Sequence, residues 1–440
     1  MKITLIGAGS GCFSIGLVRD LCASKYLTDI NLYLMDINTD RLEAIYELCT
    51  RYCSEIGASL KVEKTTDRVK AIAGADFVIT TALAAPYNQL MDGWKIADKH
   101  SFDFYGSHHI KHDEAFWSNY YQFKLFESIT EDILTYAPNA WHLLISNPVI
   151  SAITHIKRKY KDAKIVGICH GGYGAAYRLA DYFEISREDF TFQMTGVNHF
   201  VWLTKGYLKH KCLFEAIDEE LEKGKSPLGK LEEYFYRHHG VIGLGDTTYF
   251  TGGAWPWYWW ANEQNRIDYG YKNLMDGWNE AYFNWTAKLI EDLAKISKDK
   301  SRSVKTFLES VWVDDLTMPL IESLACNIPR LLHVNVLNSN GIVQGIPKDF
   351  SVEVLSLCQK DEIRPIQVDP LPRSILAYIM RDRIAPVEME LEAYNRGKIE
   401  LLKELVLMDK WAVSTEQVDA FMDEIMNLPY HKELKAHYEG

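Results

Sequence analysis

The sequence lacks any run approaching the roughly 18 uninterrupted apolar residues that a membrane span requires. No transmembrane anchor is expected, and the opening Met1-Lys2-Ile3-Thr4-Leu5-Ile6-Gly7 reads as a buried strand with no room for a cleavable leader ahead of it. Cysteine is scarce, with eight in 440 residues at positions 12, 22, 49, 53, 169, 212, 326 and 358 and no CxxC pair. That argues against a disulfide framework and predicts a reducing, cytoplasmic setting. Positive charge is short as well: 48 Lys and Arg face 60 Asp and Glu, for a formal net charge of -12. Such a balance argues against a nucleic-acid partner, and any anionic substrate would need a local cationic pocket. Low-complexity tracts and repeats are missing, so neither a disordered chain nor a solenoid is expected.

What is present is a globular composition, 47% hydrophobic and 25% charged, over a length that predicts two or three domains. The first half alternates short β-branched runs (2–7, 30–36, 60–65, 76–81, 140–146, 164–169) with helical stretches (13–24, 38–56, 114–136). This is the pattern of βαβ units, and it predicts an α/β protein with a Rossmann-like, doubly wound, mostly parallel sheet. From about residue 195 the texture turns to mixed strands and long helices, so we expect a dinucleotide-binding domain over 1–195 and a second α+β domain over 196–440. The charged stretch 287–305 reads as a solvated helix end and a mobile loop, and late helices are expected at 374–409 and 415–427, packed on the sheet or on a partner subunit. The aromatic run Trp255–Trp260 reads as core or interface ahead of a sugar-stacking platform.

Parallel sheets bind ligands at the carboxyl ends of their strands, and here those ends are polar as a set: Gly7-Ala8-Gly9-Ser10, Asp36, Thr80-Thr81, Asn147-Pro148 and Cys169-His170. The first is a dinucleotide fingerprint whose third glycine position holds Cys12. It follows a strand and precedes a helix. Asp36 at the next strand end suits an adenosine ribose and would repel a 2′-phosphate, which favours NAD over NADP. Thr80 and Thr81 complete the expected cofactor contacts. Cys169, with Gly196-Val197-Asn198-His199 about thirty residues later, offers a thiolate and an imidazole for a borderline divalent ion. A buried structural Cys and core His, or a Cys-His nucleophile pair, are the alternatives from spacing alone. The segment Ser107-His108-His109-Ile110-Lys111-His112-Asp113 reads as an exposed loop crossing above the sheet, with His109 and Asp113 as substrate contacts and a metal role the lesser reading.

These residues resemble the NAD- and manganese-dependent glycosidases of glycoside hydrolase family 4. The markers are IGAGS at 6–10, Asp36, SNP at 146–148, CHGG at 169–172, GVNHF at 196–200, GDT at 245–247 and the stretch from Asn335 to Gly345-Ile346-Pro347. The resemblance implies NAD and Mn2+ (or another divalent metal) as cofactors, Cys169 and His199 as metal ligands, Asn147 and Asn198 as substrate residues, and a homodimer or homotetramer. The CHG form looks most like the α-glucuronidase branch, with an α-glucosidase, α-galactosidase or α-galacturonidase of the same family as the alternatives. It also implies a redox-neutral hydrolysis in which C3 of the sugar is oxidised, the C2 proton removed, the aglycone eliminated, water added and the hydride returned. Asp246 is the expected C2 base with Tyr249 as rival, and His170 is expected to assist the leaving group. Where that branch has an arginine soon after GDT, this chain continues Thr247-Thr248-Tyr249-Phe250, so a uronate carboxylate must find its cation elsewhere. The competing classes are an NAD-linked sugar dehydrogenase that releases NADH and a non-catalytic cofactor-bound sensor.

Overall fold

The computed structural model describes residues 1–103, 107–247, 255–268, 278–309 and 316–439. Its first half is built on β1 (Lys2–Ile6), β2 (Asn31–Met35), β3 (Lys61–Thr65), β4 (Phe77–Thr80), β5 (Trp141–Leu144) and β6 (Ile165–Gly167). They pair in the order 3-2-1-4-5-6, all parallel. This is the dinucleotide-binding order, with a crevice where the direction of winding reverses between β1 and β4. Strands β1 and β4 read as apolar runs because helices cover both faces, whereas β3, Lys-Val-Glu-Lys-Thr, is exposed at the edge, where charge discourages further pairing. The helix Thr39–Ile56 starts where Asn38 accepts the Arg41 N–H at 3.0 Å and stops at Gly57, φ 69°.

The sheet does not end at β6. It continues with antiparallel pairings through β11 (Arg330–Leu337), β12 (Ser351–Gln359), β7 (Phe190–Val197), β8 (Phe200–Leu208) and β10 (Ile242–Leu244), while β9 (Lys211–Cys212) and β13 (Glu362–Pro365) pair off β8 and β12. The register forms one unbroken row: Thr65, Met35, Ile6, Thr80, Leu144, Gly167, Asn335, Glu353, Gly196, Val201, Leu244. Every sequence motif singled out above for chemistry, apart from the histidine segment, leaves the sheet within three residues of this row or stands on it.

The late helical region is not one helix. Arg373–Ile379 widens into a π-helical turn, Met380–Ile384, before continuing as Ala385–Arg396, then Ile399–Leu407, with Thr415–Met426 following. The widening sits ahead of Pro386, whose missing N–H leaves the Asp382 carbonyl without its helical donor, and Arg383 Nη1 donates to that carbonyl at 2.9 Å. The two ends of the aromatic run are core and its middle is not: Trp255 and Trp260 are buried while Tyr258 is exposed, and Trp255 lies edge-on to Phe200, 4.8 Å between centroids, with its Nε1 donating to Asp382 at 2.8 Å.

The stretch 287–305 corrects the expectation of a mobile loop. Helix Trp278–Lys298 packs on Thr39–Ile56, and the turn after it is tied down by Arg51, whose guanidinium donates to the carbonyls of Ile296, Ser297, Asp299 and Arg302 at 2.6–3.3 Å. Glu55 accepts from Ser303 Oγ and from the Val304 and Lys305 N–H groups at 2.8–3.0 Å. Charge there serves intramolecular bonds. Arg51→Ala is expected to cost about 1–2 kcal/mol in urea unfolding, less than a fully buried charged hydrogen bond because the site is partly wet, and to speed amide hydrogen exchange over 299–305. Unchanged exchange there would contradict the clamp.

Candidate functional site

The site is organised by the turn between β7 and β8. Val197 faces Phe200, so Asn198 and His199 form a two-residue turn with His199 at φ 57°. Gly196 is the condition for that closure, because a Cβ would lie 2.2 Å from the Phe200 carbonyl oxygen. Asn198 turns inward, and its Nδ2 donates to Glu353 Oε2 at 3.1 Å. Burial raises the Glu353 pKa against the opposing pull of Asn198, His199, Asn335 and His170.

Two further segments close on this turn. Cys169 and His170 follow β6, and His170 caps helix Gly171–Tyr182. The helix start carries no side chains that could keep neighbours away: a Cβ at Gly172 would meet Met194 Sδ at 2.4 Å. The turn Gly245–Thr247 rests directly on it, since a Cβ at Gly245 (φ 55°) would lie 2.8 Å from the Gly171 carbonyl. Thr247 Oγ1 donates to the Val201 carbonyl at 3.0 Å and accepts the Val201 N–H at 2.9 Å, so the GDT, CHGG and GVNHF segments are held together. The Asp246 side chain and all of Tyr249 lie outside the described residues.

The histidine segment is where the structure departs most from expectation. Its three histidines and Ile110 are buried, not exposed: Trp94 Nε1 donates to the His112 carbonyl at 3.1 Å, and the Ser107 N–H donates to Asp409. Helices Tyr87–Lys99 and Ala385–Arg396 cover it, which the local sequence could not signal. His112 Nδ1 lies 2.7 Å from Asp113 Oδ1, and Asp113 Oδ2 accepts from Asn147 Nδ2 at 2.9 Å. Burial works against the Asp113 carboxylate, but His112, His199 and Asn147 outweigh it and hold the pKa well below the usual range. With 43% of the side chain accessible, water screens that effect. His109 faces the interior, its Nδ1 3.4 Å from Glu390 Oε2.

At the nucleotide end, Gly7 (φ 91°) and Gly11 (φ 77°) bracket a single turn, Ala8–Ser10. A Cβ on Gly7 would sit 2.6 Å from the Ala82 nitrogen. Asp36 accepts the Gly9 N–H at 2.7 Å and the Asn38 N–H at 2.8 Å, so it shapes the turn that a pyrophosphate would meet. Ser10 Oγ is buried there without a hydrogen-bond partner, which fits a phosphate oxygen. Thr80 and Thr81 spend their hydroxyls internally, on His142 Nε2 at 2.8 Å and on the Ile6 and Gly7 carbonyls at 3.2 and 3.3 Å.

Three residues were not singled out from sequence. Glu353 stands on an ordinary buried strand, and Glu114 next to the histidines reads as a helix N-terminal acid. Arg383 is a buried cation whose guanidinium carbon lies 4.6 Å above the Phe200 ring and whose charge bears on His108. Only Glu114, continuing the run His112-Asp113-Glu114, left a trace that could have been followed.

The model for "Family 4 glycosyl hydrolase" matches residues 2–185, and that for "Family 4 glycosyl hydrolase C-terminal domain" matches residues 194–412. The chain belongs to the family 4 glycosyl hydrolases. Family relatives include an α-glucosidase of Erwinia rhapontici, 23% identical with 93% of each chain covered. An α-galacturonidase of Thermoanaerobacter italicus is also 23% identical, covering 96% of this chain and 94% of the relative. Among solved folds, a 6-phospho-α-glucosidase from gut microorganisms in complex with NAD and glucose-6-phosphate superposes with a TM-score of 0.81 at 18% identity, covering 100% of this chain and 99% of that one. No helix among the described residues is long and apolar enough to cross a membrane.

Within this family site, Gly196→Ala is expected to force the β7–β8 turn open and cost about 1–3 kcal/mol, with turnover falling more than the stability loss explains. A variant with wild-type stability and wild-type turnover would contradict the role given to that turn.

Proposed function

We propose that this family 4 enzyme hydrolyses an α-linked uronide, an α-glucuronide first and an α-galacturonide as the near alternative, by a redox-neutral route with NAD and a divalent metal such as Mn2+. The observation that carries the reading is the meeting of Asn198-His199, Cys169-His170 and the GDT turn on one row of the sheet whose other half ends in the dinucleotide loop. The donor set is chemically suited: a free Cys169 thiol with the His199 imidazole suits a borderline divalent ion, and the Ala8–Ser10 turn with its buried hydroxyl suits a pyrophosphate.

When bound, NAD supplies a reversible hydride acceptor for C3 and the metal a Lewis acid for the C2 and C3 oxygens. The chain's own residues do the rest. Cys169 and His199 would hold the metal; Asn147, braced by Asp113, and Asn198, braced by Glu353, would position the sugar, with His109 behind the same loop. Asp246 takes the C2 proton, with Tyr249 as the rival, and His170 delivers a proton to the leaving oxygen. Gly7, Ala8, Gly9 and Ser10 would cradle the pyrophosphate and Asp36 would accept from the adenosine ribose, while Thr80 and Thr81 stiffen the strand end on the cofactor side. Arg383 supplies the cation that a uronate needs and that the run after GDT lacks. The galacturonidase relative supports an acidic sugar. In this reading residues 1–195 carry the cofactor together with the metal ligand Cys169 and the sugar residue Asn147, and residues 196–440 carry the remaining metal and substrate residues and the subunit contacts of a cytoplasmic homodimer or homotetramer.

A panel of α- and β-linked glucosides, galactosides, glucuronides and galacturonides, assayed with and without NAD, Mn2+ and thiol, tests this. The expected result is α-uronide cleavage that needs all three, with no net NADH. Stoichiometric NADH would instead indicate a dehydrogenase, and full activity after cofactor removal would end the proposal. Arg383→Met should lower kcat/KM for the uronide on the order of a hundredfold, the worth of one charged hydrogen bond pair, while sparing a neutral glycoside; equal losses on both would refute the anchoring role.

A further inference from the structure

The buried loop over 108–114 holds a group of side chains that the redox mechanism leaves unused. His108, His112 and Glu114 are 5%, 3% and 2% exposed, and one ligand atom from each lies within 4.8 Å of the others. His108 Nε2 and His112 Nε2 are buried without a hydrogen-bond partner, and Glu114 Oε1 lies 3.0 Å from His199 Nδ1. Two unsatisfied imidazole nitrogens facing a carboxylate in a dry interior are costly unless something joins them.

The protonation pattern narrows what that is. His112 Nδ1 lies 2.7 Å from Asp113 Oδ1 and 3.2 Å from the Glu114 backbone nitrogen; in the tautomer that donates to Asp113, the neutral ring turns an acceptor lone pair inward at Nε2. A carboxylate behind a histidine in this way is the usual support of a metal-binding imidazole. A neutral His108 ring in its Nδ1–H tautomer likewise offers a lone pair at the buried Nε2. In these tautomers two acceptor imidazoles and a carboxylate face one another, an arrangement that a cation between them satisfies. The Arg383 charge opposes a cation here, while Glu114 within the group and Asp113 behind it favour one.

We propose that His108, His112 and Glu114 form a sulfur-free binding site for a borderline divalent cation of the Zn2+, Co2+ or Fe2+ kind, separate from the Cys169–His199 pair. The donor set is two histidines and one carboxylate, which leaves a further position for water or a substrate oxygen. Two ligand atoms about 2.1 Å from one ion lie ~3.0 to 4.2 Å apart, so the 4.8 Å spread needs a small contraction. The rings of His108 and His112, stacked at 4.0 Å and 3° between planes, must splay as it happens. His199 adjoins the site, its Nδ1 3.0 Å from Glu114 Oε1, so an ion there would lock the loop carrying Asp113 against the turn carrying His199.

Metal-free protein titrated with Co2+ by equilibrium dialysis and visible spectroscopy provides the test, and its readout is independent of turnover and of NAD. In Cys169→Ser we expect one Co2+ per chain with d–d bands and no thiolate charge-transfer band. Glu114→Gln should weaken that binding about tenfold or more, and His108→Ala with His112→Ala should abolish it while the Cys169 signal of the unmodified chain survives. No Co2+ bound by Cys169→Ser would overturn the proposal, as would a thiolate band that the histidine substitutions also remove. Should the double variant fail to fold, Glu114→Gln decides: undiminished affinity there rejects the site.

Discussion

One row of backbone pairing, running from Thr65 on β3 to Leu244 on β10, is the constraint on which the rest of this molecule depends. In the parallel half it places Gly7, Asp36 and Thr81 one residue beyond Ile6, Met35 and Thr80. In the antiparallel half it places Asn335 and Glu353 on the row, with Asn198, His199 and Gly245 just beyond it. A slip of one residue in any strand would turn that strand's polar end to the opposite face. Glycines secure the row where strands crowd: at Gly167 a Cβ would lie 2.4 Å from Val149 Cγ1 and 2.8 Å from the Asn335 Cβ.

The row also explains why buried charge collects in one place. Glu353 stands between Asn335 and Gly196, so its carboxyl is walled by strands on both sides and meets Asn198 from the neighbouring turn. Asn147 reaches the same region from the other half and binds Asp113 on the crossing loop. Polar groups that would destabilise a core singly are thus tolerated as a connected set, each fixing the orientation of the next.

How far this was legible in the sequence depended on distance along the chain. The six parallel strands were readable because apolar runs and turn residues alternate locally, and observed strands such as Phe77–Thr80 fall inside the expected 76–81. The motifs were readable because Gly7, Cys169 and His199 sit at strand ends. What was not readable depends on partners hundreds of residues away. His108 and His112 looked exposed because the helix that covers them begins near residue 385, and the 299–305 turn looked mobile because its clamp is Arg51. Glu353 gave no local sign, since only pairing with Asn335 and Gly196 brings it to the site.

We propose that this arrangement activates the C2 hydrogen of a sugar instead of the anomeric bond directly. Hydrolysis of an α-glucuronide in D2O, with the position of deuterium in the released sugar read by NMR or mass spectrometry, tests it most directly. The account predicts deuterium at C2 in the product of each turnover. Product that keeps its original hydrogen at C2 would contradict it.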